Sequence, residues 1–109
     1  MIIQLNADKN LAIHEAAGDA IKKLLIDELN RYSKHISRLD IHIADENGIK
    51  QGFNDIQCMI EAHRERTAPV VVTNVADTVD QSVNGAIEKM KHALASMIRG
   101  KRKRITSID

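Results

Sequence analysis

Apolar and polar residues alternate or recur at helical spacing along nearly the whole chain, and the two periods divide it into six segments. Ile2 to Asn6 alternates as a short strand with Ile3 and Leu5 on one side, and Asp8-Lys9-Asn10 breaks it. From Ile13 to Tyr32 the period becomes helical, with Ile13, Ala17, Ala20, Ile21, Leu24, Leu25 and Tyr32 on one face. Two residues depart from that face: Glu28 projects among the apolar positions and Ile26 projects away from them. Either a bend in the helix or a position of its last turns at the domain edge accounts for this. Leu39, Ile41 and Ile43 alternate with Asp40 and His42 as a half-buried second strand. Asp45-Glu46-Asn47-Gly48 predicts a hairpin, because Asn and Gly both tolerate positive φ, and Gly52 lengthens its loop. Ile56, Cys58, Ile60 and Ala62 then face one way and Gln57, Met59, Glu61 and His63 the other, giving a third strand. Arg64 to Ala68 reads as a polar connection, and Pro69 as the first residue of a β-branched fourth strand, Val70-Val71-Val72-Thr73.

The last segment, Asp77 to Arg104, has the clearest helical pattern. Val79, Val83, Ala86, Ile87, Met90, Leu94, Met97 and Ile98 make one buried stripe. Thr78 and Gln81 have the spacing of a capping box, in which a hydroxyl and an amide satisfy backbone donors reciprocally. Gly100 marks the expected end of the helix, with Arg99 against the negative end of its dipole.

The order β-α-β-β-β-α predicts a right-handed crossover between parallel first and second strands, and two antiparallel hairpins thereafter. With one apolar stripe per helix and one alternating sheet, the expected fold is an α/β (α+β) two-layer sandwich: a four-stranded mixed sheet with two helices on one face. Residues 1–100 form a single domain and residues 101–109 a basic tail. No apolar run approaches the roughly 20 residues of a membrane span, and the start of the chain lacks the pattern of a secretory signal, so the expected location is cytoplasmic.

Charge adds an asymmetry that the net value of +1 conceals: residues 1–98 hold 11 basic and 14 acidic groups, whereas 99–104 hold five basic and none acidic. Charge gathered at one end steers a polyanion even when the sum is near zero. Candidate chemistry is otherwise sparse. Cys58 is in phase with Ile56 and Ile60 and reads as a packed core thiol. The five histidines, His14, His35, His42, His63 and His92, show no ligand spacing, so no metal site is expected. A phosphate-binding glycine loop and a nucleophile elbow are both missing from the sequence, and no catalytic residue, cofactor or small-molecule substrate is expected.

The Asp45-Glu46-Asn47-Gly48 turn, the strand with Asp55, Cys58 and Glu61-Ala62, and the helix with Ala86-Ile87-Glu88-Lys89-Met90 and Leu94 resemble the ribosome hibernation-promoting factor and ribosome-associated inhibitor family over residues 1–100. Glu88 and Met90 are conservative departures from that family's helix pattern, and the resemblance is to the family's short form, without the long C-terminal dimerisation region of its extended members. The resemblance implies a double-stranded-RNA-binding-domain-like fold and a non-enzymatic, cytoplasmic protein. It also implies binding to the small ribosomal subunit and its rRNA in the mRNA and tRNA channel, silencing translation under stress. It makes Lys89 an rRNA-facing residue. On the same helix His92, Ser96 and Arg99 follow Lys89 at three- and four-residue spacing opposite the buried stripe, and Gly85 lies near that line. Lys22 and Lys23 leave the apolar face of the first helix, and Lys101, Arg102, Lys103 and Arg104 extend the positive end, completing the candidate rRNA contacts. Asp19, Asp27, Glu28 and Glu88 dilute this surface. Without the resemblance, the lysines would read as helix solvation, and the exposed sheet face with Met59, Val71 and Val75 would suggest a protein-interaction module.

Overall fold

The computed structural model describes residues 1–8, 11, 13–45 and 55–106, and for 100–106 the backbone alone. Strand β1 (Ile2–Ala7) is followed by helix α1 (Glu15–Leu29), a 3-10 segment (Asn30–His35), strands β2 (Arg38–Asp45), β3 (Ile56–Arg64) and β4 (Thr67–Ala76), and helix α2 (Val79–Thr106). The strands lie in the order β1-β2-β3-β4. β1 pairs with β2 in parallel, and the two remaining pairings are antiparallel, as the segment order predicts. The Asn47-Gly48 hairpin lies outside the described residues.

Register explains why one face of the sheet is dry. Leu39 is opposite Ala62, Ile41 opposite Ile60, and Ile43 opposite Cys58, and all six side chains are fully buried. Alternation sends Arg38, Asp40, His42, Met59, Glu61 and His63 to the other face. The dry face is covered by Ile21, Leu25 and Leu29 of α1 and by Val83, Ala86, Ile87, Met90 and Leu94 of α2. Ile3 and Leu5 of β1 and Val70 and Val72 of β4 pack at its margins.

Four expectations change. First, α1 begins at Glu15 and gives way at Asn30 to the tighter 3-10 segment, so Ile13 precedes the helix, and Tyr32 reaches the core from the 3-10 turn. Ala17 and Ala20 are exposed, lining an open cleft between α1 and the start of α2. Ile26 is 47% exposed, as its phase requires. Second, β4 starts at Thr67: a two-residue turn suffices because Arg66 adopts φ 60°, and the Thr67 hydroxyl donates to the Glu65 carbonyl at 2.9 Å. Pro69 therefore sits inside β4, where a register shift near Ala62 and Arg64 and the edge position tolerate a residue without an N–H.

Third, α2 does not stop at Gly100 but continues to Thr106. A glycine inside a helix costs about 1 kcal/mol, and the Lys-Arg run that follows favours helix. At the other end the Thr78 hydroxyl accepts the Gln81 N–H at 3.1 Å, the hydroxyl half of the expected capping box. Fourth, Gly85 serves packing. Asn74 of β4 donates from Nδ2 to the carbonyls of Ser82 (3.2 Å) and Gln81 (3.4 Å), and a Cβ at Gly85 would lie 2.1 Å from that nitrogen. The missing side chain lets a polar strand residue reach the helix backbone.

Burial pushes the Cys58 thiol up to about 12, so it stays protonated at neutral pH. Cys58 should therefore resist thiol reagents in the native protein and react after denaturation; rapid native labelling would contradict its place in the core. Ile60→Ala and Leu94→Ala should each cost about 2 to 5 kcal/mol in denaturant unfolding, because both side chains are fully buried at the helix-sheet interface. Gly85→Ala should cost about 1 to 3 kcal/mol by displacing Asn74, and a melting temperature equal to the parent's would disprove the close contact.

Candidate nucleic-acid interface

The helical surface carries a groove of about 530 Å³ where the end of α1 and the 3-10 segment run beside α2. Arg31, His92 and Arg99 line it together with Asp27, Glu28, Glu88 and Lys91. Lys91 Nζ lies 2.5 Å from Glu28 Oε1 and 3.3 Å from Glu88 Oε2, joining the two helices. This explains Glu28, the charged residue in the apolar phase of α1: its side chain meets a cation across the helix-helix seam. It also changes the electrostatic reading of the surface. Lys91 offsets one of the two carboxylate charges it bridges, so Arg31, Lys91 and Arg99 balance Asp27, Glu28 and Glu88 around the groove, with His92 beside them.

The candidate contacts do not form one patch. His92 and Arg99 share the groove. Lys89 turns the other way around α2, and its Nζ donates to the Thr73 carbonyl of β4 at 2.7 Å. Lys22 is half-buried at the opposite flank, in a shallow depression with Leu5, His14 and Asp19, and Lys23 is exposed nearby on α1. The side chains of Lys101, Arg102, Lys103 and Arg104 lie outside the described residues. Sequence periodicity missed Arg31 because the 3-10 segment departs from the 3.6-residue phase; the burial of Tyr32, its neighbour, places it. Among the described residues, no helix is long and apolar enough to cross a membrane.

Glu28 and Glu88 hydrogen-bond to Lys91 and hold its ammonium above the ordinary 10.5. A group whose folded value is raised contributes stability that is fully present below its unfolded value and is lost as pH rises through the folded one. The melting-temperature advantage of the parent over Glu28→Gln should thus be constant from neutral pH to about 10 and shrink above it. An advantage that persists undiminished in strong alkali would mean that Glu28 acts through packing alone.

No protein-family model matches the chain, and no curated protein matches it. Solved structures do. The N-terminal domain of Protein Y from Thermus thermophilus superposes with a TM-score of 0.68 at 16% identity, over 86% of this chain and 96% of that one. A ribosomal subunit interface protein from Coxiella burnetii superposes with a TM-score of 0.72 at 15% identity, over 91% of this chain and 99% of that one. The four-stranded mixed sheet with two helices on one face is therefore the fold of these two proteins along nearly their whole length, and it is the fold that the sequence resemblance implies.

Proposed function

We propose that this protein binds the small ribosomal subunit, lays its helical surface against rRNA in the channel used by mRNA and tRNA, and silences translation, promoting ribosome hibernation under stress. The observation that carries this reading is the likeness to a ribosomal subunit interface protein over 91% of the chain. The proposed rRNA contacts are His92, Arg99 and Arg31 around the groove, Lys22 and Lys23 on one flank, Lys89 on the other, and Lys101, Arg102, Lys103 and Arg104 beyond the core. Residues 1–100 act as the binding domain, and the basic tail, begun as a continuation of α2, extends its reach. Such a protein works in the cytoplasm.

Tyr32 is buried, which removes one of the two aromatics from any stacking platform, so contacts are to phosphates and backbone shape. Catalytic chemistry and cofactors play no part. The sheet face, where Val71 and Val75 are 47% and 54% exposed, would instead serve an interaction module that ignores ribosomes.

Sucrose-gradient fractionation of lysate separates the two: the protein should sediment with small subunits or whole ribosomes, and recovery only among soluble proteins would refute the proposal. Binding to purified subunits should also weaken steeply with salt, since each neutralised phosphate releases counterions. Changing Lys101 to Arg104 to glutamine should lower the log-log slope by up to about 3 units, at roughly 0.7 per phosphate, whereas Lys89→Ala should lower it by less than about one. Identical slopes in the parent and both variants would reduce the charge to surface solvation.

A further inference from the structure

The open face of the sheet brings together three side chains that no spacing in the sequence associates. Asp40 of β2 is opposite Glu61 of β3, and His63 follows two residues along the same face. His63 Nε2 lies 3.1 Å from Asp40 Oδ2 and 3.7 Å from Glu61 Oε1, and one donor atom from each of the three falls within 4.8 Å of the others. We infer that Asp40, Glu61 and His63 form a binding site for a divalent transition cation of the zinc type, stapling β2 to β3.

Three observations carry this. The separations suit a shared ion: bonds of about 2.0 Å in a tetrahedral shell put ligand atoms about 3.3 Å apart, between the two distances observed here. His63 Nε2 is sealed from solvent and makes no hydrogen bond in acceptable geometry, although Asp40 Oδ2 is near. With Nε2 beside two carboxylate oxygens and no hydrogen bond holding it, the imidazole can offer that nitrogen to a cation placed between them. Lastly, the donors are held in place. Arg38 Nε lies 3.1 Å from Asp40 Oδ1, an ion pair without hydrogen-bond geometry, so the guanidinium holds that carboxylate by charge, as an outer-shell group does. Ser37 donates from its backbone N–H (2.8 Å) and its hydroxyl (3.0 Å) to the His63 carbonyl, anchoring the end of β3.

An imidazole with two carboxylates suits first-row transition ions, whereas magnesium prefers oxygen and water. Two carboxylates against one guanidinium leave the cluster negative. All three side chains are 22% to 33% exposed, so a three-donor site keeps a coordination position open to solvent or to an anionic group of a partner. The site is on the face opposite the helical groove and does not depend on ribosome binding.

Titration of the purified full chain with zinc chloride, followed by calorimetry, should give one saturable site that excess magnesium does not displace. Affinity should fall at least about tenfold in His63→Gln and in Glu61→Gln, and remain unchanged in His42→Gln, a histidine on the same face outside the cluster. In the parent itself zinc should shift the imidazole resonances of His63, which keeps the test decisive if a variant fails to fold. No saturable binding would mean that the three groups are a simple ionic cluster, and equal loss in His42→Gln, or resonance shifts confined to other histidines, would place the ion elsewhere; each overturns the assignment.

Discussion

The structure depends on a sheet that is dry on one face only. Leu39, Ile41 and Ile43 of β2 and Ile56, Cys58, Ile60 and Ala62 of β3 point the same way, and the α2 stripe from Val83 to Leu94 covers them. A one-residue slip of either strand would turn this row to water and its polar neighbours inward, so burial sets the register. The remaining elements take the positions that row leaves. α1 covers the β1 side through Ile21, Leu25 and Leu29, and the chain tightens into a 3-10 turn so that Tyr32 and Ile36 still reach the core.

The same constraint sorts the charges. Groups excluded from the dry layer have two destinations, the outer surface of the helices and the open face of the sheet, and the chemistry of the two differs. Around the helical groove, Arg31 comes from the 3-10 segment and His92 and Arg99 from α2, while Lys91 bridges Glu28 and Glu88. That bridge holds two of the groove's three carboxylates on one ammonium, leaving the Arg31 and Arg99 guanidiniums to meet phosphate in a groove of balanced charge. On the sheet, cross-strand pairing concentrates Asp40, Glu61 and His63 beside a single guanidinium, giving a site with cation-binding character. The helical groove is thus balanced in charge and the sheet cluster negative, within a chain whose net charge is +1.

Polar groups that stay near the core are satisfied by backbone. Asn74 points from β4 toward the helices, and it is tolerated because Gly85 lets it reach the carbonyls of Gln81 and Ser82. The Ser82 hydroxyl donates to the Val79 carbonyl at 2.8 Å. The start of α2 is thereby tied to the edge strand, and the basic run lies at the other end of the helix.

The sequence by itself determined the layers: period-two alternation in β2 and β3, the α2 stripe, the Thr78 cap and the order of elements follow from local sterics and burial. The charge asymmetry was equally legible, being a matter of counting. Only the tertiary structure decided which charges meet. Glu28 was a misfit on its own helix until Lys91, 63 residues away, explained it, and Asp40 and His63 acquire a relation only through strand pairing. The roles of Arg31 and Gly85 were hidden for the same reason: one sits in a 3-10 segment that breaks the helical count, and the other answers to a side chain on a different element. Periodicity records what a residue does for its own segment, whereas electrostatic partners are chosen across segments by a register and a packing angle that no local pattern encodes.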